Sequence, residues 1–341
     1  MSSGREPEGP ASYSGSPRYR GRFAPSPSGF LHLGNARTAL YAWLRARRAG
    51  GEFVMRVEDL DGQRTRPEAV MGNLEELRWL GLDWDEGPDV GGPHAPYLQS
   101  QRSGLYQAAL ERLEAGGHLF ECYLSRKDLA EAASAPHDTT GDPTTERAYG
   151  SAERALNAAS AAKKGSEGKT PSLRFSVSAG EVSFTDALAG PQTVGASTVG
   201  DLVIRRADGQ WAYQLAVVVD DAAMGITEVV RGADLLRATA GQLLLYAALK
   251  LKPPVFAHLP LLLEPDGTRL AKRRGSLTLS ELARSGVRPE RVVGLLAFGL
   301  GLIDELTEVA ARDLVGERDM RQGVEPALLG TDSLAWLLAA S

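Results

Sequence analysis

From position 19 onward, two hydrophobic rhythms take turns along the chain. Residues 19–24 and 52–57 are short runs of strand length, whereas residues 34–48 place apolar side chains at helical spacing. Pro67 opens a second helical stretch that runs to Leu80, residues 101–113 form a third, and residues 119–124 return to strand character. Strands separated by helices in this way predict an α/β fold built on a parallel, doubly wound sheet with helical crossovers. Between 136 and 171 Ala, Ser, Thr, Gly and Lys dominate, with one helical stretch over 151–162, the pattern of an inserted segment. Alternation resumes at 172–177 and 202–206, and Asp208-Gly209 is a hairpin-turn signal. Residues 226–231 read as a strand feeding a helix over 233–249. Past Pro254 a turn and a basic loop precede helices to the end.

Composition narrows the class. The chain has 341 residues, enough for two domains or one with insertions, and its 43% apolar and 24% charged content is that of a soluble globular protein. No apolar run approaches the roughly 20 residues of a membrane span, and the Ser-, Gly- and Pro-rich start lacks the apolar centre of a signal peptide. A disordered N-terminal tail, no membrane partner and a cytoplasmic location are expected. The single cysteine, Cys122, excludes an intramolecular disulfide and fits a reducing compartment. A net charge of −5 means that any RNA contact must come from a local basic surface.

The densest local signal is the run Arg22-Phe23-Ala24-Pro25-Ser26-Pro27-Ser28-Gly29-Phe30-Leu31-His32-Leu33-Gly34-Asn35. Its prolines fix a turn, and Gly29 and Gly34 permit close backbone approach to a ligand. The run ends where a helix begins, and a helix N-terminus offers unpaired N–H groups and a positive dipole end to a phosphate. His32 stands where it can donate to a phosphate oxygen. A histidine taken at random is usually structural, and the flanking proline and glycine pattern reverses that expectation here. The second signal is Arg269-Leu270-Ala271-Lys272-Arg273-Arg274-Gly275-Ser276. A basic run alone usually marks a solvated face. Beside a phosphate-binding helix start it acquires a purpose, because attack on the α-phosphate of ATP builds charge on phosphate oxygens and on departing pyrophosphate.

The two runs resemble the signature motifs of class I aminoacyl-tRNA synthetases: the first the HIGH motif, and Leu270-Ala271-Lys272-Arg273 the KMSKS loop, with Arg269 where a lysine is usual. Residues 22–33 and the segments Met55-Arg56-Val57-Glu58-Asp59-Leu60-Asp61, Gly81-Leu82-Asp83-Trp84-Asp85, Val217-Val218-Val219-Asp220-Asp221 and Glu228-Val229-Val230-Arg231-Gly232 are similar to the glutamyl branch, in its order. The resemblance spans about residues 20–300 and implies a Rossmann-like catalytic domain with an inserted subdomain. It implies that His32 and Lys272 are catalytic. It also implies that His32, Gly34, Asn35 and Lys272 bind ATP, which enters with Mg2+, and that Arg22, Phe23, Ala24, Pro25, Ser26, Glu58, Tyr213 and Arg231 contact L-glutamate. The set is charge-matched: two arginines for two carboxylates, one carboxylate for the ammonium, and a tyrosine hydroxyl. Asp220 and Asp221 read as a helix end and its turn and stay outside the candidate site. The implied divisions are a tail, 1–18; the first half of the catalytic domain, 19–124; an acceptor-binding-like insert with a degenerate zinc module, 125–200; the second half, 201–285; and a helical C-terminal segment, 286–341.

Two departures refine the expectation. Many glutamyl relatives carry a Cys-x-Cys pair and a later Tyr-x3-Cys element for zinc. Here the corresponding runs are Cys122-Tyr123-Leu124 and Tyr149-Gly150-Ser151-Ala152-Glu153, too few ligands for a structural zinc site, so no metal is expected. Only 69 residues follow Lys272, so an anticodon-binding domain is not expected. The truncated relatives of this branch are the glutamyl-queuosine tRNA(Asp) synthetases, which transfer glutamate to queuosine in the anticodon of tRNA(Asp), and the segment His258-Leu259-Pro260-Leu261-Leu262-Leu263 is similar to theirs. That resemblance implies an ATP-dependent monomeric ligase whose partner is queuosine-containing tRNA(Asp). The competing readings are a synthetase that charges a tRNA 3′ end, a silent nucleotide- or RNA-binding paralogue, and a nucleotidyl transferase acting on another small acid.

Overall fold

Two four-residue strands, Arg20–Phe23 (β1) and Glu52–Met55 (β2), pair in parallel in the computed structural model, Arg22 opposite Val54 and Phe23 opposite Met55. The structure describes residues 18–125, 127–128, 149–262, 278–316 and 331–339. Helix α1 (Leu33–Arg48) makes the crossover between β1 and β2. Its last turn carries Arg45, Arg47 and Arg48, cations that suit the negative end of the helix dipole. Almost every face of α1 is buried, including Arg37, which donates to Pro260 O at 2.5 Å and Gly299 O at 3.3 Å.

Helix α2 (Pro67–Trp79) starts on a proline that fits the first helical position, and helix α3 (Ser103–Ala115) leads to strand β3 (Leu119–Cys122). The middle of the chain holds helix α4 (Ser151–Ser166) and strands β4 (Ser172–Phe175), β5 (Glu181–Asp186), β6 (Gly190–Gly195) and β7 (Leu202–Arg205). Here the pairing is antiparallel: β4 lies between β3 and β7, and β5 and β6 form a hairpin of their own. The parallel sheet expected from the alternation therefore holds for the flanking strands, while the strands between them are antiparallel and join in local pairs. The turn at Asp208-Gly209 closes as expected, with Gly209 at φ +83° and Arg206 N–H bonded to Gln210 O at 2.8 Å.

Helix α5 (Tyr213–Ala223), strand β8 (Glu228–Gly232), helix α6 (Leu236–Ala248) and strand β9 (Val255–Leu259) complete the nucleotide-binding pattern. Strands β8 and β9 are parallel, with Arg231 opposite His258. Strand β1 lies against β8: Thr227 N–H donates to Arg20 O at 2.9 Å and Arg20 N–H to Thr227 Oγ1 at 2.8 Å. Helices α7 (Leu279–Arg284), α8 (Pro289–Gly299) and α9 (Thr331–Leu338) follow.

Period-two alternation sends the strand side chains into two separate cores. Phe23, Phe53, Met55, Val230, Ala257 and Leu259 pack with α1, α2 and α8. Val54, Val229 and Phe256 pack with α3, α5 and α6. Each fully buried Leu, Val or Phe removes apolar area worth roughly 1.5–3 kcal/mol, so both faces hold the strands in place. Arg22 and Arg231 fall on the α5–α6 face by the same alternation, and that face carries the polar cluster described next. No helix among the described residues is long and apolar enough to cross a membrane.

Candidate active site

The segment between β1 and α1 folds around the helix N-terminus. His32 is the N-cap, with extended backbone; its Nδ1 accepts from Gly34 N–H at 3.1 Å, and Asn35 Oδ1 accepts from His32 N–H at 3.4 Å. An accepting Nδ1 carries no proton, so the ring N–H is on Nε2. A Cβ at position 34 would stand 3.0 Å from His32 Cε1, so the room Gly34 provides is taken by the imidazole. No acidic residue occupies the first turn of α1, and the positive end of the dipole is uncancelled there.

This loop is tied to the chain that follows the basic run. Glu76, buried on α2, accepts Leu31 N–H at 2.7 Å with one oxygen. Its other oxygen accepts Ser280 N–H at 2.8 Å and Ser280 O–H at 2.6 Å. Leu279 N–H donates to Leu31 O at 2.9 Å, and His32 pairs with Thr278 in a β-bridge. Lys272, Arg269 and Arg273 lie outside the described residues.

Arg22, Glu58, Tyr213 and Arg231 come together on the α5–α6 side of the sheet, from four separate stretches of chain. Arg22 Nε lies 3.4 Å from Asp221 Oδ1, and its Nη1 donates to Val230 O at 3.1 Å. Arg56, wholly buried, donates to Asp221 at 2.7 Å and to Glu58 at 3.1 Å. Glu58 is anchored through its backbone as well, its N–H donating to Pro25 O at 3.0 Å. Burial pushes the Glu58 carboxyl up against the pull of Arg56 and Arg22. At Asp221 burial also works against the charge, but Arg56 and Arg22 win and hold the carboxyl below its ordinary range. The Tyr213 hydroxyl is pushed up to about 12 by burial and by Glu58.

Arg231 differs from the other arginines of the cluster. It is 5% exposed, and among the described residues no carboxylate lies within ion-pair distance of it. Its Nε donates to His258 Nε2 at 2.9 Å, its Nη2 donates to Thr239 Oγ1 at 2.7 Å, and its Nη1 is buried without a hydrogen-bond partner. The guanidinium also lies 5.1 Å from the ring centre of Phe256. Burial lowers its affinity for its proton, with Tyr213 pulling the other way and Arg22 adding repulsion. Tyr246 on α6 is a second buried group of this cluster whose hydroxyl has no partner. A buried cation with an unpaired donor favours an anionic ligand, because leaving the donor unmade carries its full desolvation cost.

The remaining expected residues are scattered. Phe23 points to the opposite face of the sheet and packs beneath α1, so its side chain is not part of the cluster. Ala24 is half-buried, Pro25 is buried and Ser26 is exposed. The two aspartates set aside from the sequence do sit in the last turns of α5, yet both are buried and wired into the site. Asp220 accepts from Gln99, Arg102 and Tyr106 at 2.6–2.8 Å, and Asp221 is shared by Arg22 and Arg56. His258, Thr239 and Asp186 were not found from the sequence. The only available signal was the resemblance of the run beginning at His258, which marks no role.

Where the zinc module of other glutamyl relatives would stand, Cys122, Leu124 and Tyr149 pack together, with Cys122 Sγ 3.5 Å from the Tyr149 hydroxyl and Arg174 4.2 Å from the centre of the Tyr149 ring. Among the described residues no group of three or more His, Cys, Asp or Glu is placed to hold a metal ion.

The profile of the catalytic domain of class I tRNA synthetases (E and Q) matches residues 18–323. A Glutamyl-Q tRNA(Asp) synthetase from Symbiobacterium thermophilum is 53% identical over 318 residues, 93% of this chain and 98% of that protein. A protein of the same name from Nitratidesulfovibrio vulgaris is 48% identical over 299 residues, 87% of this chain and 91% of its own. Among solved structures, a glutamate tRNA ligase from Elizabethkingia meningosepticum in complex with its amino acid superposes with a TM-score of 0.80 at 30% identity. That match covers 94% of this chain and 68% of the ligase.

Proposed function

The chain belongs to the class I tRNA synthetases of the E and Q group, and from that membership we propose that it activates L-glutamate with MgATP and passes it to queuosine in tRNA(Asp). It is an ATP-dependent ligase. In the first step a carboxylate oxygen of glutamate attacks the α-phosphorus of ATP, forming the mixed anhydride and releasing pyrophosphate. In the second, a cyclopentenediol hydroxyl of queuosine attacks the carbonyl carbon, AMP leaves, and an ester remains.

The observation that carries the choice of amino acid is Arg231, a buried guanidinium with an unpaired donor and no carboxylate partner among the described residues, close to Arg22 and Glu58. Two guanidinium groups suit two carboxylates at the spacing of glutamate, and Glu58 suits the ammonium. Arg22 already faces Asp221, so it offers a shared rather than a bare positive charge. For the nucleotide, the uncancelled N-terminus of α1 and the Nε2 donor of His32 suit phosphate oxygens. Lys272 is assigned the departing pyrophosphate on the strength of its motif.

The choice of acceptor is supported by the relatives: matches to two proteins named Glutamyl-Q tRNA(Asp) synthetase run over nearly their whole length. The similarity to a glutamate tRNA ligase keeps a 3′-charging activity as the second reading. Labelled glutamate, MgATP and purified tRNA(Asp), with and without queuosine, separate the two. The expected outcome is a base-labile label on the anticodon fragment of the queuosine-containing tRNA alone. Label on the 3′-terminal adenosine of tRNA(Glu) would favour the second reading, and absence of glutamate-dependent pyrophosphate exchange with or without tRNA would remove both.

A further inference from the structure

Arg231 reaches the glutamate pocket through a chain of buried groups that begins in the inserted hairpin. Asp186, the last residue of β5, is buried, and its Oδ1 accepts three backbone N–H groups: His258 at 3.1 Å, Leu188 at 3.0 Å and Ala189 at 2.9 Å. Its Oδ2 lies 2.6 Å from His258 Nδ1. On the other side of the ring, His258 Nε2 receives the Arg231 Nε proton at 2.9 Å, with Thr239 Oγ1 3.2 Å away. Arg231 and His258 are register partners on β8 and β9, so both side chains leave the sheet on one face. Ala187 N–H donates to Phe256 O at 2.8 Å, which fastens the hairpin turn to the same strand.

The hydrogen bonds allow one protonation pattern. A guanidinium N–H only donates, so His258 Nε2 must present its lone pair, and the ring proton is on Nδ1, facing Asp186. A protonated ring would set an N–H against an N–H at 2.9 Å and put two cations side by side. Burial, with repulsion from Arg231 and Arg22, accordingly holds the imidazole below its ordinary value in spite of Asp186.

We propose that Asp186 and His258 are positioning residues for glutamate recognition: Asp186 fixes the His258 tautomer, and His258 orients Arg231 with a neutral acceptor. The neutral acceptor matters for the charge. A carboxylate in direct contact with Arg231 would hold it equally well but neutralise it. Routing the contact through an imidazole places the anion one ring further away and leaves the positive charge and the Nη1 donor for the ligand. The inference rests on Arg231 belonging to the glutamate pocket.

The test is Asp186→Asn in glutamate-dependent pyrophosphate exchange. Three backbone N–H groups fix the Asn oxygen at the Oδ1 position, so its NH2 faces Nδ1 and drives the ring proton to Nε2, opposite Arg231. The KM for glutamate should rise about tenfold or more, with the KM for ATP within about twofold of the parent. Replacing the ring in that background, Asp186→Asn/His258→Gln, supplies an amide oxygen as acceptor and should recover most of the loss, which a merely structural role would not predict. Should Asp186→Asn fail to fold, His258→Gln against His258→Phe asks the same question, and Phe should be the weaker for glutamate. An unchanged glutamate KM in Asp186→Asn, or equal values for Gln and Phe, would overturn the inference while Arg231→Ala still raises the requirement. If Arg231→Ala has no effect either, the pocket assignment itself fails.

Discussion

Single residues show how close packing and chemistry are interlocked. Gly34 is the clearest case. The sequence suggests backbone room for a ligand, whereas in the fold the room is filled by the His32 ring, whose Nδ1 bonds to the Gly34 amide. A methyl group at 3.0 Å from the ring forces a shift of a few tenths of an ångström in a side chain assigned to the phosphates. Gly34→Ala should therefore lower the turnover of pyrophosphate exchange by about tenfold, since small misplacements of positioned groups are costly, and leave the glutamate KM near the parent value. Turnover equal to the parent would mean that the ring shifts without consequence.

Among elements, α2 has a role its amphipathic pattern does not announce. Its Glu76 joins the loop before α1 to the start of α7, taking one backbone N–H from each and a serine hydroxyl. The basic run of the sequence ends just before that second attachment. Glu76→Ala leaves three donors without their acceptor, the buried Leu31 N–H and the half-buried Ser280 N–H and O–H, and the buried one alone costs about 1–3 kcal/mol. It should lower both the denaturation midpoint and the rate of adenylate formation at saturating glutamate, with the glutamate KM little changed, because the pocket lies on the other face of the sheet. A raised glutamate KM with normal turnover would contradict this division of labour between the two faces. Elements were legible from the sequence where their pattern was strong: α1 and α2 fall within one residue of the expected bounds at each end. Helix α5 and strand β9 were not singled out, because a continuous apolar run such as Val217-Val218-Val219 does not distinguish helix from strand.

For the molecule as a whole, the buried ionisable groups set how stability responds to pH. His258 is packed against Asp186 from β5, Arg231 from β8 and Thr239 from α6, with Arg22 on β1 nearby, and its pKa is held below the ordinary 6.5. As pH falls through 6.5, the unfolded chain takes up a proton that the folded chain refuses, so folding weakens until the lowered value is reached. Asp186 and Asp221 titrate lower: both are held below 3.8, so their contribution is complete above that pH and is lost as pH falls through their lowered values. Urea midpoints at about pH 7.5 and about pH 5.5 should thus fall more for the parent chain than for His258→Gln. Equal losses would show that His258 does not carry this part of the acid response.

The sequence by itself determined the family and the strongly periodic elements, and it named candidate pocket side chains, because each is carried by a local pattern: a strand alternation, a helix start, or a motif with fixed spacing. It placed Arg22, Glu58, Tyr213 and Arg231 on one list without saying how they meet. Only the tertiary structure decided which face of the sheet each occupies, so that the Phe23 side chain packs beneath α1 while that of its neighbour Arg22 faces the polar cluster. It also brought in Asp221, shared by two arginines, and the pair Asp186–His258, which lie 72 positions apart in the chain. The reason is physical. A burial or a hydrogen bond between distant residues depends on strand register and sheet face, and neither is written in the local periodicity of either partner.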